Sequence, residues 1–268
     1  MDWRPQRIVC LSAETVDTLY RLGCEDRIVG ISGFTVHPPR ARREKPRISA
    51  FTSARLERVI ELQPDLVLAF SDLQADLCTD LVRAGLQVHV FNQRSIAETL
   101  QSIVMLGRLV GEEAAALNLI DEIEQHLERI KAAGRKLPYR PRVYFEEWDE
   151  PMICGILWVS ELIELAGGVD VFADRAIQPC AAARIISSVD EVISRQPDVM
   201  IGSWCGKKFR PDRLRQRPGF VSIPAVRHMQ LYEIKSADIL QPGPTNLIKG
   251  SEAMIAILRR VTQESAKP

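Results

Sequence analysis

Trp148, Trp158 and Trp204 place three of the chain's four tryptophans in its second half. Each indole can bury on the order of 200 Å² of flat surface without using a charge, which suits a large flat ligand. Around them stand groups with sharper chemistry. Cys154 and Cys205 occupy glycine-flanked turns, where a thiol could ligate a soft metal or act as a nucleophile. His37 precedes two prolines, and its imidazole could coordinate iron or cobalt. Glu146 and Glu147 alternate on a strand pattern, so only one can face a ligand; Glu147 is the expected partner for ligand amides or a cation. Arg184 could pair with a ligand carboxylate or phosphate. The plainer alternatives are that Trp158, at a helix start, is core, and that both cysteines are partly buried thiols.

No Gly-rich phosphate loop, nucleophile elbow or HExxH spacing accompanies these groups, so a binding role is expected before a catalytic one. The elements that must position them follow from periodicity. Arg7-Ile-Val-Cys-Leu, Arg27-Ile-Val-Gly-Ile, Asp65-Leu-Val-Leu-Ala-Phe and Gln87-Val-His-Val-Phe read as short apolar strands. Helical patterns follow Ser12, cover Leu56 to Leu62 and run from Leu77 to Gly85. Such alternation predicts an α/β fold with a parallel sheet covered on both faces. In a doubly wound sheet, ligands sit outside the carboxyl ends of the strands. That rule selects Ser12 and Glu14, Phe34 and His37, Phe70 and Ser71, Glu147 and Trp148, and Trp204 with Cys205.

The segment Val59-Ile-Glu-Leu-Gln-Pro-Asp-Leu-Val-Leu returns as Val192-Ile-Ser-Arg-Gln-Pro-Asp-Val-Met-Ile, with Glu57 answered by Asp190. One recurrence at half the chain length predicts two similar lobes with a ligand cleft between them. Between them Ile120, Ile123, Leu127 and Ile130 repeat at helical spacing, predicting a long helix that starts near Gly111 and ends at Gly134. The expected division is therefore an N-terminal lobe over 1–95, a helical spine over 96–138 and a C-terminal lobe over 139–268.

With 268 residues and 46% apolar content, each lobe can bury a core. Thirty-five basic residues balance thirty-five acidic ones, so no net field favours nucleic acid. No window has the length of a membrane span or a signal peptide, and no CxxC pair suggests zinc. Cys10, Cys24 and Cys78 read as small buried hydrophobes. A cytoplasmic product is expected, or a periplasmic one if a leader was removed.

Arg7-Ile-Val-Cys-Leu-Ser-Ala-Glu-Thr, Val29-Gly-Ile-Ser, His37-Pro-Pro, Glu57-Arg-Val-Ile-Glu-Leu-Gln-Pro-Asp-Leu-Val, Glu161-Leu-Ile-Glu-Leu-Ala-Gly-Gly and Ile223-Pro-Ala-Val resemble the cobalamin and iron-siderophore substrate-binding proteins of ABC importers. Phe145-Glu-Glu-Trp and Ser203-Trp-Cys-Gly look like a leaderless subgroup of that family. The resemblance implies two doubly wound α/β lobes joined by one long backbone helix. It implies as ligand a metal chelate, with cobalamin or another corrinoid first and haem or an iron-siderophore next. Phe34, Phe51 and Phe70 fall where cobalamin binders place aromatics, and Arg184 stands where the second lobe would have another. Glu57 and Asp190 match acidic residues that dock onto a permease; as helix-terminal acids they also suit the dipole. Gln241-Pro-Gly-Pro-Thr lacks the arginine often found after its second proline. The alternative is a tetrapyrrole chelatase-like enzyme, using His37, Glu147 and a thiol for metal insertion.

Overall fold

A computed structural model describes residues 4–49 and 55–264, so Phe51 lies outside the described residues. The chain forms two compact units. One comprises Met1–Gln93, Ala97–Ile123 and Gln241–Thr245; the other comprises Arg94–Ile96, Glu124–Leu240 and Asn246–Pro268.

The first unit carries β1 (Ile8–Cys10), α1 (Ala13–Arg21), β2 (Ile28–Ser32), α2 (Ala41–Glu44), β3 (Arg47–Ser49), α3 (Leu56–Glu61), β4 (Leu66–Phe70), α4 (Ala75–Arg83) and β5 (Val88–Phe91). Its sheet runs β3-β2-β1-β4-β5, with every pairing parallel. All five residues of β4 are buried, as expected of a strand covered on both faces. Val9, Leu11, Val59, Val67, Ala69 and Leu81 form its core. Cys10, Cys24 and Cys78 are buried among such side chains.

The helix expected from near Gly111 to Gly134 is α6 (Glu113–Gly134), and a further helix, α5 (Ile96–Val110), precedes it. Gly111, at a φ of 74°, makes the break, a conformation that glycine adopts without a Cβ penalty. Helix α6 spans roughly 33 Å at about 1.5 Å per residue. Its first half groups with the first unit and its second half with the other.

The second unit adds β6 (Arg142–Asp149), β7 (Met152–Cys154), α7 (Leu157–Leu165), β8 (Val169–Asp170), α8 (Ala173–Ala176), α9 (Val189–Ser194), β9 (Val199–Gly202), α10 (Pro211–Arg215), α11 (Pro224–Arg227), β10 (Leu231–Glu233), α12 (Ser236–Ile239) and α13 (Ser251–Glu264). Its sheet order is β10-β9-β6-β7, with β8 also on β6. Strand β7 is antiparallel, a departure from the parallel expectation; it folds back from β6 as a hairpin.

The repeated decapeptide builds the same joint twice. In each copy a short helix ends, a glutamine takes a positive φ (Gln63 45°, Gln196 41°), and proline and aspartate lead into a strand. Asp65 accepts from the backbone N–H groups of Gln6 and Arg7 at 2.7 and 2.9 Å, while Arg7 donates from Nη2 to the Leu62 carbonyl at 2.7 Å. In the second unit Asp198 accepts from the Arg142 N–H at 2.8 Å, and Arg142 Nη2 donates to the Arg195 carbonyl at 2.7 Å. Aspartate thus ties the start of one strand to the start of its neighbour, and arginine closes the helix end.

Candidate functional site

In the first unit the sheet order places β2 and β4 on opposite sides of β1, so the topological switch lies at the carboxyl ends of β1 and β4. Those two ends are pinned by one buried amide: Gln74 Nε2 donates to the Leu11 carbonyl at 3.1 Å, and Gln74 Oε1 accepts from the Phe70 N–H at 2.9 Å. Sequence reasoning passed over Gln74, because its partners are set by topology and not by spacing. Ser71, next after β4, holds φ 62° and ψ 173°. That region costs a residue with a Cβ about 1–3 kcal/mol and marks a tightly determined backbone. After β1, Ser12 and Glu14 are buried, and desolvation pushes the Glu14 carboxyl up to about 7.

The candidate aromatics of this unit separate. Phe34, beyond the end of β2, is 48% exposed, and Gln241 Nε2 donates to its carbonyl at 3.3 Å. His37 is half-buried in the same loop. Phe70 faces inward at 6% exposure, so its expected role as a ligand wall is corrected: it closes a central strand covered on both faces.

In the second unit Glu146 and Glu147 face different surroundings, as the alternation requires. Glu146 is sealed inside, where its carboxylate accepts from Tyr144 Oη at 2.7 Å, Trp204 Nε1 at 3.0 Å and both Arg217 Nη atoms at 2.5 and 3.1 Å. Burial, then the charge of Glu146, raises the Tyr144 phenol well above its ordinary range. Trp204 packs edge-on against Phe209 at 5.0 Å in the core, so its expected place against a ligand is corrected too. Trp158 is likewise core, its Nε1 donating to the Ile239 carbonyl at 3.0 Å.

Glu147 is half-buried and meets Arg184 at 2.5 Å. Arg184 is buried and also donates to the Cys154 carbonyl at 2.6 Å. The guanidinium expected to meet a ligand anion is therefore engaged internally. Cys154 is a buried thiol, pushed up to about 12 by desolvation, and its Sγ donates to the Arg184 carbonyl at 3.5 Å. Cys205 is exposed in the loop after β9.

Trp148, half-buried near the end of β6, keeps one ring face under the Lys207 ammonium at 4.1 Å. Lys207 is ion-paired in turn with buried Asp149, which also meets Arg213 at 3.4 Å. The loop carrying Lys207 is seated by Phe209, whose ring would lie 2.1 Å from any Cβ placed on Gly202. Glycine at the last position of β9 is thus what admits that ring. No group of three or more His, Cys, Asp and Glu side chains gathers to hold a metal among the described residues. The residues at the strand ends are suited to contact a bulky ligand by an aromatic face and a few charged groups.

Two α/β units of largely parallel strands, with aromatic and charged side chains at the strands' carboxyl ends, have the build in which ligands sit outside those ends. The chain belongs to the periplasmic binding protein family, whose sequence profile matches residues 8–237. The vitamin B12-binding protein of Vibrio vulnificus strain YJ016 is 24% identical over 250 residues, covering 91% of this chain and 86% of that protein. Two solved structures share the fold. One is the periplasmic vitamin B12 binding protein BtuF of Vibrio cholerae, with TM-score 0.76, 20% identity, and coverage of 96% of this chain and 98% of that one. The other is the periplasmic heme-binding protein RhuT from Roseiflexus sp. RS-1, with TM-score 0.79, 21% identity, and coverage of 94% and 99%. The family is one of binding proteins, and the chelatase-like alternative draws no support from it. The cytoplasmic expectation draws none either, since both solved relatives are periplasmic proteins. No helix among the described residues is long and apolar enough to cross a membrane.

Proposed function

We propose that this chain binds a metal-chelate cofactor, a corrinoid first and haem or an iron-siderophore next, and presents it to an ABC permease. In each unit the residues outside the strands' carboxyl ends are the candidates for contact with the ligand. The observation that carries this reading is that each unit turns one aromatic out of its core at that edge, Phe34 in the first and Trp148 in the second. Flat apolar faces of this kind suit a tetrapyrrole-sized ligand. Glu147 and Cys205 lie on the same edge of the second unit and His37 on that of the first, an imidazole being a ligand type that iron and cobalt accept. The relatives' ligands, vitamin B12 and heme, fall in the same chemical class. Their periplasmic setting favours a mature chain working outside the cytoplasm over a cytoplasmic one.

Calorimetry and visible difference spectra of the purified chain against cyanocobalamin, haemin and a ferric siderophore test the reading. Saturable one-to-one binding of one of them, with a shifted absorption band, is expected. Failure of all three to bind removes the proposal.

A further inference from the structure

A second, smaller site lies wholly inside the first unit. Glu14, Thr15, Thr18, Phe91, Gln93 and Ser102 line a cavity of about 10 Å³, room for a single water-sized body, closed on its apolar side by Leu106 and Pro242. Two of the lining residues each have a buried oxygen with no hydrogen-bond partner among the described residues: Glu14 Oε1 and Gln93 Oε1. Both residues are more than nine-tenths buried.

The rest of the lining sets the sign of the occupant. The Thr15, Thr18 and Ser102 hydroxyls donate to the carbonyls of Ser12, Glu14 and Thr99 at 2.9, 2.8 and 2.7 Å; the Thr15 oxygen also meets Ser12 Oγ at 3.2 Å, and the Thr18 and Ser102 oxygens keep acceptor capacity. The amide nitrogen of Gln93 donates to the Pro242 carbonyl at 2.9 Å. The polar lining residues thus bring oxygen acceptors, one of them a carboxylate, and no cationic side chain. A buried carboxylate without a positive partner is costly. The nearby charged side chain on the same helix is Asp17, another acid, whose own partners are Arg21 at 3.1 Å and the Thr245 N–H at 2.8 Å. The segment Gln241–Thr245 closes over Glu14 so tightly that a Cβ on Gly243 would approach the Glu14 Cβ to 2.8 Å.

We propose that this cavity is a binding site for one sodium-sized monovalent cation, held by Glu14 and Gln93 with hydroxyl oxygens completing the shell. Hard cations take oxygen ligands, and a single carboxylate balances a single charge. The ion ties α1, the residues after β5 and the Gln241–Thr245 segment together within one unit. Glu14 and Gln93 are buried and are not among the side chains proposed to contact the chelate.

The test uses the full chain without added chelate. At about pH 8.5 its thermal midpoint in about 0.15 M sodium chloride is expected to exceed that in equal potassium or N-methylglucamine chloride by about 2–4 °C. Sodium NMR relaxation of the wild-type chain is expected to show a bound fraction that Glu14→Gln abolishes. Equal midpoints in the three salts together with no excess relaxation would mean that a water fills the cavity, and would overturn the proposal. So would a sodium increment that Glu14→Gln retains. If Glu14→Gln does not fold, the wild-type relaxation alone decides.

Discussion

Position after a strand can be read from a sequence; the direction in which a side chain leaves the strand is harder to read. The first criterion selected Phe34, Phe70, Trp148 and Trp204 alike, but Phe70 and Trp204 turn inward. For Trp204 the deciding partner lies far along the chain, its Nε1 donating to Glu146 at 3.0 Å, and Arg184 is likewise taken up by Glu147 at 2.5 Å. Trp148 remains available on one edge, so Trp148→Ala is expected to weaken binding of the corrinoid or haem by about 1–3 kcal/mol. Calorimetry of the two chains side by side checks this, and equal affinity would exclude the indole from the site. Thiol reactivity makes a second check on the residue assignments. Burial raises Cys10 and Cys154 to about 12 and lifts Cys24 and Cys78 above the usual thiol range. At about pH 8 these four hold their protons and are shielded. Alkylation followed by mass spectrometry should therefore mark exposed Cys180 first in the native chain, exposed Cys205 more slowly because desolvation raises its thiol to about 11, and all six only after unfolding. Native labelling of Cys154 would show that its turn is open.

At the scale of elements, the recurring Gln-Pro-Asp segment was legible as a repeat, but what it does was not. Asp65 and Asp198 act at the amino-terminal side of their sheets, the side opposite the candidate site, so the strongest signal in the sequence marks architecture and not recognition. The parallel strands β1, β4 and β9 were legible because their runs are apolar and buried on both faces, and β2 and β5 from short β-branched runs. Strand β7 was not, since three residues behind Pro151 give no alternation to read. The two copies of the joint differ in a testable way. Asp65 satisfies two backbone N–H groups and Asp198 one. Asp65→Ala is expected to cost about 1–2 kcal/mol and Asp198→Ala about half that, as partly exposed charged hydrogen bonds allow. Denaturant midpoints rank the two variants; equal midpoints would show that the second N–H contributes nothing.

For the whole molecule, a receptor must satisfy two partners with separate surfaces, and the repeat supplies one candidate pair. Glu57 stands in the first turn of α3 and Asp190 in the first turn of α9, at equivalent places in the two units, and both are exposed. Asp190 also shares the Ser188 cap, whose Oγ accepts from the Asp190 N–H at 3.1 Å. If these acids served only their helices, reversing them would cost each helix about 0.3–1 kcal/mol and nothing more. If they meet permease arginines, a charge reversal removes an attraction and adds a repulsion on each unit, while residues at the strand ends stay as they were. Glu57→Lys combined with Asp190→Lys is therefore expected to lower chelate uptake by cells at least about tenfold, a change of about 1.4 kcal/mol, with chelate affinity of the purified chain unchanged. Uptake of labelled ligand measured beside calorimetry separates the outcomes. Loss of affinity would place the acids in the binding site, and undiminished uptake would leave them as helix-terminal acids alone.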